Sequence, residues 1–214
     1  MNRGDRSRAF TKSTYLLTKR VVDIVGSATL LILLSPLFAV IALLIRVSSA
    51  GPVFYRQSRL GKQAVPFLIF KFRTMAHNAP ALLSLDGDTY SGSDDPRVTG
   101  LGRVLRKFSL DELPQLLNVL TGDMSLIGPR PDLTDDLPMY DSVAMRKLGS
   151  RPGMTGQAMV KGRHRIPWRE RIELDAWYVD NMSWWLDLQI AARTLPVVLS
   201  GHGAESAPSE MISR

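Results

Sequence analysis

Cysteine is absent from the 214-residue sequence. This absence excludes a disulfide framework, a thiolate metal site and a cysteine nucleophile. Acidic residues are outnumbered, since 20 aspartates and glutamates stand against 27 lysines and arginines, a formal net charge of +7. A basic balance favours an anionic partner, and composition leaves open whether that is nucleic acid, acidic lipid headgroups or phosphorylated small molecules. The length fits one domain with attachments.

Charge is also missing from residues 24–45, an unbroken run of mostly apolar side chains. About 20 such residues cross the hydrocarbon of a bilayer as a helix, so the length permits a membrane span. The run is too long for a cleaved signal peptide, and no small-residue cleavage site follows it. Ser35-Pro36 lies near its centre. Proline removes a backbone donor and bends a helix, and the serine can bond the freed carbonyl.

Basic residues flank this run on both sides. Those before it are Arg3, Arg6, Arg8, Lys12, Lys19 and Arg20, and those after it are Arg46, Arg56, Arg59 and Lys62. Positive flanks favour the cytoplasmic side, so a helix that bends at Ser35-Pro36 and returns to the same face satisfies both. We therefore predict a basic N-terminal arm at residues 1–20 and a re-entrant membrane helix at 21–48. The alternative is one kinked anchor with a translocated arm.

The remainder of the chain predicts a mixture of strands, helices and loops. Short strands are expected within residues 52–75, a solvated acidic loop at 84–96 and a short basic helix at 98–107. Five leucines then recur at helical spacing and predict an amphipathic core helix: Leu110, Leu113, Leu116, Leu117 and Leu120. The tryptophans after residue 167 fit either the membrane interface or core packing. Residues 203–214 are predicted to be a disordered tail.

The most informative feature is an adjacent carboxylate pair, Asp111-Glu112. One interpretation is structural, because Ser109 followed three residues later by Glu112 is a capping-box pattern and acidic residues stabilise a helix N-terminus. The other interpretation is chemical. Basic residues surround the pair in the sequence or on later loops: Arg103, Arg106, Lys107, Arg130 and Arg151.

Under the chemical interpretation, nearby cations are expected to lower the pKa of Asp111 and keep its carboxylate ionised. An ionised carboxylate is a competent nucleophile toward phosphorus. Arginines hold phosphate oxygens in bidentate pairs, and Mg²⁺ bridges a carboxylate to a diphosphate. The pattern therefore indicates acid–base or nucleophilic chemistry on an anionic substrate at a lipid surface.

Motifs spread over residues 19–200 add a resemblance. They are Lys19-Arg20-Val21-Val22-Asp23, Ser35-Pro36, Gly51-Pro52-Val53-Phe54, Lys71-Phe72-Arg73-Thr74-Met75, Asp95-Pro96-Arg97-Val98-Thr99, Ser109-Leu110-Asp111-Glu112-Leu113-Pro114-Gln115, Gly122-Asp123-Met124-Ser125, Gly128-Pro129-Arg130-Pro131, Arg151-Pro152-Gly153-Met154-Thr155-Gly156 and Asp175-x-x-Tyr178-Val179. In this order they resemble the bacterial sugar transferase family, the monotopic phosphoglycosyl transferases that initiate surface glycan assembly. One departure is Gln157-Ala158-Met159-Val160, where the family usually has Trp-Ala-Gln-Val.

The resemblance implies a mixed α/β, mainly helical fold. Its parts would be the re-entrant membrane helix hairpin, a compact cytoplasmic catalytic domain at residues 49–202 and interfacial amphipathic helices. The implied reaction moves a sugar 1-phosphate from a UDP-sugar to polyprenyl (undecaprenyl) phosphate and releases UMP. The implied place is the cytoplasmic face of the bacterial inner membrane.

The resemblance also implies residue roles. Asp111 would be the nucleophile that forms a covalent phosphosugar intermediate, as well as a Mg²⁺ ligand, and Glu112 would be its acid–base partner. The implied substrate-binding residues are Lys71, Arg73, Arg106, Arg130, Arg151 and Arg163. The expected partners are the UDP-sugar, polyprenyl phosphate and membrane lipids, while the identity of the sugar and the formation of a homodimer are left open.

Three other classes of protein compete with this prediction. A membrane-anchored nucleic-acid binder would need an aromatic-basic platform or a recognisable module, and the sequence shows neither. A scaffold protein would use Asp111-Glu112 only as a helix cap. A conventional glycosyl transferase would move the sugar without its phosphate and would release UDP rather than UMP.

Overall fold

The computed structural model describes residues 3–80, 82–84, 95–162, 166–200 and 211–213, with side chains described for 13–80, 95–162 and 166–200. Most of the predicted acidic loop, residues 85–94, therefore lies outside the described residues. Asp95, at its end, is fully buried and ion-paired with Arg97 rather than solvated.

Two N-terminal helices meet at the predicted break. Helix α1 spans Arg3–Leu33 and α2 spans Ser35–Ser48, and the two are bent by 61°. Pro36 lies in the first turn of α2, where its missing N–H is not needed, and the Ser35 hydroxyl donates to the carbonyl of Ile32 at 2.8 Å. In the described part of the chain no single helix is long and apolar enough to span a membrane, although the bent pair qualifies together.

The other elements form a mainly helical α/β fold, as predicted. The strands are β1 Phe54–Leu60, β2 Pro66–Phe72, β3 Leu82–Ser84, β4 Ser125–Ile127, β5 Gly153–Thr155 and β6 Met211–Ser213. The helices are α3 Gly100–Lys107, α4 Gln115–Thr121, α5 Ser142–Lys147, α6 Gln157–Lys161, α7 Trp168–Asp180 and α8 Trp184–Ser200. Strands β1 and β2 form an antiparallel hairpin, β3 pairs antiparallel with β6, and β4 pairs parallel with β5.

Two predicted elements differ from the structure. The leucine-spaced helix is divided into a 3-10 turn, Leu110–Glu112, and α4, because Pro114 lacks an N–H and cannot continue an α-helix from the preceding turn. In the tail predicted to be disordered, Met211–Ser213 is the strand β6. Residues 201–210 and 214 lie outside the described residues.

Helix α1 is attached to the rest of the fold by buried polar contacts. The Tyr15 hydroxyl and the Lys19 ammonium both donate to Asp187 on α8, each at 2.8 Å. Two turns after Tyr15, Asp23 accepts from the backbone N–H of Leu126 at 2.9 Å. Since α1 runs without interruption through residue 20, the predicted boundary between arm and membrane helix does not coincide with a change in secondary structure.

Helix α2 packs against the strand and the helix that lead to the carboxylate pair. Ile41 and Ile45 of α2 form one buried cluster with Phe72 of β2 and Leu105 of α3. Burying aliphatic side chains of this kind stabilises a fold by about 1.5–3 kcal/mol each. The apolar segment therefore has exposed side chains on one part of its surface and contributes others to the core of the domain that carries the site.

Candidate active site

The carboxylate pair lies on a tight turn between α3 and α4. Ser109 has a φ of 54°, in the left-handed region, which costs a non-glycine residue roughly 1–2 kcal/mol. Ser109 makes no capping hydrogen bond, and Glu112 is bonded elsewhere. The capping-box interpretation is therefore wrong. Both Asp111 and Glu112 are buried, at 8% and 9% exposure.

Glu112 lies in an ion-paired cluster, which we name the Glu112 cluster: Glu112, Lys71 and Arg130. The Lys71 ammonium donates to Glu112 Oε1 at 2.7 Å, and Arg130 Nη2 donates to the same oxygen at 2.9 Å. Arg130 Nη1 lies 3.4 Å from Oε2. Burial opposes ionisation of Glu112, but Arg130 and Lys71 outweigh it and hold its pKa well below the usual range.

Asp111 differs from its neighbour. Among the residues that the structure describes, none forms a hydrogen bond or ion pair with its carboxylate. Burial raises the pKa of Asp111 to about 6; Glu112 adds to the rise, and Lys71, Arg106 and Arg130 oppose it. The expectation of a lowered pKa is wrong, because burial of the carboxylate outweighs the nearby cations. A carboxyl with this pKa is still about nine-tenths ionised at pH 7.

The structure brings three of the predicted substrate-binding cations toward the pair. Lys71 and Arg130 belong to the Glu112 cluster. Arg106, on α3, donates from Nε to the Thr74 hydroxyl at 2.9 Å and acts on the pKa of Asp111. These cations come from β2, α3 and the loop after β4, so the site is assembled from three separate parts of the chain.

The other predicted cations are placed differently. The Arg73 guanidinium lies at the C-terminal end of α2. It donates to the carbonyls of Ala50 at 2.6 Å and Ser49 at 2.8 Å. Arg151 donates from Nε to the carbonyl of Gly122 at 2.8 Å, just past α4. Arg163 lies outside the described residues. The structure thus gives Arg73 and Arg151 structural contacts and does not bring them to Asp111.

The loop that carries Arg130 is fixed by close backbone packing. Gly128 N donates to the carbonyl of Thr155 and Gly153 N to that of Pro129, both at 2.8 Å. A Cβ atom on Gly153 would lie 2.1 Å from Gly128 N, and one on Gly156 would lie 2.1 Å from Gly128 O. Only glycine leaves room for two backbone segments this close. These glycines therefore fix the backbone position from which the Arg130 side chain extends.

Two residues that hold the backbone next to the site cations were not identified from the sequence. Asn118 of α4 accepts from Phe70 N at 2.9 Å and donates to Leu68 O at 2.8 Å, so its amide acts as a strand partner for β2 next to Lys71. Its signal in the sequence is an amide between the apolar residues Leu117 and Val119. Asp175, quoted above only as part of a motif, accepts from the backbone N–H of Arg130 at 3.1 Å.

The departure from the family pattern also touches the site. Met159, where the family usually has glutamine, is buried with its sulfur 3.8 Å from Arg130 Nη1. The Gln157 side-chain oxygen is buried without a hydrogen-bond partner among the described residues. A thioether is only a weak acceptor, so Met159 leaves the charge of Arg130 to Glu112 and to any incoming anion.

The described residues contain no group of three or more histidine, cysteine, aspartate or glutamate side chains that could hold a metal ion. A Mg²⁺ ion here would rest on Asp111 together with oxygens of a bound phosphate. That donor set fits Mg²⁺, which commonly binds through one or two carboxylates plus substrate phosphates.

Comparison with known proteins finds related sequences that cover most of this chain. Residues 14–201 match the bacterial sugar transferase family. The exopolysaccharide production protein ExoY of Rhizobium meliloti is 41% identical over 199 residues, covering 88% of each chain. A UDP-glucose:undecaprenyl-phosphate glucose-1-phosphate transferase of Caulobacter vibrioides is 43% identical over 202 residues, 88% of this chain and 72% of that protein. An undecaprenyl-phosphate galactose phosphotransferase of Salmonella typhimurium is 40% identical over 215 residues, 95% of this chain and 43% of that protein.

Proposed function

Because this chain belongs to the bacterial sugar transferase family, we propose that it moves a sugar 1-phosphate from a UDP-sugar to polyprenyl phosphate. The products are UMP and a polyprenyl-diphosphate-sugar, the first membrane intermediate of a surface polysaccharide. Relatives named for sugar phosphate transfer to undecaprenyl phosphate support this class of reaction. The observation that carries it is the buried carboxylate of Asp111, which has no hydrogen-bond partner among the described residues and lies beside the cations of the Glu112 cluster.

The reaction proceeds in two displacements at one phosphorus atom. Asp111 attacks the sugar-bearing phosphorus of the UDP-sugar; an O–P bond forms, the bond to the bridging oxygen breaks, and UMP leaves with the electron pair. An oxygen of the polyprenyl phosphate then attacks the same phosphorus and displaces Asp111. Two phosphate substrates that use one site in turn favour such a covalent intermediate.

The cations of the site bind and orient the phosphates. Lys71 and Arg130 face charge that builds up on the phosphate oxygens, and Arg130 presents two N–H groups in a fixed plane. When a phosphate shares these cations, the contacts that hold the pKa of Glu112 low weaken, and its carboxylate becomes available for proton transfer. Asp111, together with phosphate oxygens of the substrate, would hold Mg²⁺, and the ion would supply charge neutralisation.

The bent helix pair supports a membrane-embedded position for this chemistry. Ile32, Leu33 and Val47 are 73%, 69% and 72% exposed. On α8 an apolar face is exposed as well, formed by Trp185, Leu188, Leu195 and Leu199. We propose that α1 and α2 enter the cytoplasmic leaflet of the inner membrane as a re-entrant hairpin and that α8 lies at the interface. A lipid phosphate would then meet Asp111 at headgroup depth.

The re-entrant arrangement predicts a labelling pattern. Thr18→Cys and Ser48→Cys, on exposed positions before and after the bend, should both react with a membrane-impermeant maleimide from the cytoplasmic side only. The chain has no other cysteine, so each label reports one position. Ser142→Cys, exposed on α5, is the control for the catalytic domain. Labelling of Thr18→Cys from the opposite side would establish a straight span.

The pKa of Asp111 predicts a pH dependence of the first displacement. Its raised pKa of about 6 means that the carboxyl is protonated and inert below that pH and ionised above it, so the rate of UMP release should rise with pH through about 6. In Glu112→Gln this limb should move to lower pH, because a negative neighbour is lost and Lys71 acts on Asp111 alone. Single-turnover rates at UDP-sugar concentrations well below saturation report the free enzyme, and they measure this limb in the wild type and in the variant. An unmoved limb would contradict the assignment to Asp111.

The product identifies the reaction class. Membrane-embedded protein is incubated with polyprenyl phosphate and a panel of UDP-sugars, and the released nucleotide is separated. UMP supports phosphosugar transfer, UDP would establish a conventional glycosyl transferase, and release of neither with any sugar would favour a scaffold protein. The member of the panel that turns over also identifies the sugar.

A further inference from the structure

We propose that Asp175 is a positioning residue for the reaction. It holds the backbone of Arg130 and thereby places the Arg130 side chain in the site. The inference rests on the proposed function in one respect, since it takes Arg130 to bind substrate phosphate. Asp175 does not contact the carboxylate pair itself. It acts through the main chain of the Gly128–Pro131 loop.

The first observation is the contact. Asp175 Oδ2 accepts the backbone N–H of Arg130 at 3.1 Å, and the residue is only 1% exposed. Its other oxygen has no hydrogen-bond partner among the residues that the structure describes. A buried carboxylate is costly to desolvate, and here its shortest polar contact is the amide of Arg130.

The second observation is the chemistry of the loop. Pro129 and Pro131 have no N–H, so within Pro129-Arg130-Pro131 the amide of Arg130 is the only backbone donor. The proline that follows also restricts Arg130 to an extended backbone. An acceptor on this amide therefore holds the backbone of Arg130 in place, and the side chain reaches Glu112 from that fixed starting point.

The third observation is that Asp175 has a rigid support. Tyr178 lies one helical turn further along α7, is 1% exposed, and donates to Asp187 Oδ1 at 2.6 Å. The Lys147 ammonium lies 3.4 Å from Asp175 Oδ2 but is closer to Asp132, at 2.5 Å. Lys147 therefore keeps a counter-ion without Asp175, and the carboxylate is not needed merely to neutralise it.

The test compares variants that keep or remove the acceptor. Asp175→Asn retains an oxygen for the Arg130 amide and should release UMP within about threefold of the wild-type rate, while Asp175→Ala should lose roughly 10–100-fold in kcat because Arg130 is misplaced. If the alanine variant does not fold, Asp175→Ser takes its place. The same loss is expected, because the serine side chain is too short for its oxygen to reach the Arg130 amide. Thermal unfolding in nanodiscs verifies that each variant compared is folded.

A second readout separates positioning from a general structural role. In an Arg130→Met background there is no guanidinium to position, so Asp175→Ala should lower kcat by less than about threefold. An equal loss in both backgrounds, or a loss in Asp175→Asn as large as in Asp175→Ala, would overturn the proposal. Absence of UMP release by the wild type would instead contradict the proposed function, so the two failures are distinguishable.

Discussion

Asp111→Asn is expected to lower the rate of UMP release on the order of 10⁴-fold or more, because an amide cannot become the attacking oxygen. The variant should fold normally. Asparagine has the shape of aspartate, and no described residue loses a hydrogen bond when the charge is removed. The loss is therefore expected in the chemical step, which single-turnover release of UMP from the UDP-sugar measures.

The matched control is Asp135→Asn, an exposed aspartate that also lies in a 3-10 turn, Thr134–Met139. It should keep the wild-type rate. Acid quenching of the working wild-type enzyme, followed by peptide mass analysis, should show a phosphosugar on the peptide that contains Asp111 and none in the variant. Full turnover by Asp111→Asn would remove the nucleophile assignment and return the pair to a structural role.

Arg130→Lys is expected to lower kcat/KM for the UDP-sugar about 100-fold, although the charge is kept. Arg130 reaches both oxygens of Glu112 with two N–H groups, at 2.9 and 3.4 Å. A lysine ammonium is a single point charge and cannot reproduce that planar, two-pronged contact with a carboxylate or a phosphate. Steady-state kinetics with varied UDP-sugar provides the measurement.

Arg103→Lys serves as the control, because Arg103 is exposed on α3 and tests whether any arginine near the site responds alike. It should change kcat/KM by less than about twofold, since surface substitutions away from special features have little effect. If Arg130→Lys were equally mild, the planar geometry of the guanidinium would not matter, and Arg130 would contribute only charge.

Local chemistry made the helix break predictable. Proline acts on the turn that contains it, so Ser35-Pro36 predicted the junction of α1 and α2. The short basic helix predicted at 98–107 is also present, as α3. The same local reasoning failed for the leucine-spaced helix. The leucine spacing predicted one helix across Pro114, whereas the chain forms a separate 3-10 turn before it.

Long-range pairing was not predictable. Lys71 and Glu112 are 41 positions apart, and the sequence does not say whether a cation pairs with Asp111 or with Glu112. The sequence also does not show how deeply Asp111 is buried, and burial is the main cause of its raised pKa. Arg73 and Arg130 are both arginines within family motifs. Only the fold shows that Arg73 donates to a carbonyl just after α2, while Arg130 pairs with Glu112.

The anchoring of α1 bears on any attempt to prepare the enzyme without its N-terminal helix. Asp187 is 2% exposed and receives hydrogen bonds from Tyr15 and Lys19. Deletion of the residues before 24 would leave this buried carboxylate without the counter-charge of Lys19. Breaking a buried ion pair in this way lowers the free energy of unfolding by about 3–5 kcal/mol. Preparation without the helix would therefore call for Asp187→Asn as well, because asparagine carries no charge and still offers an oxygen to the Tyr178 hydroxyl.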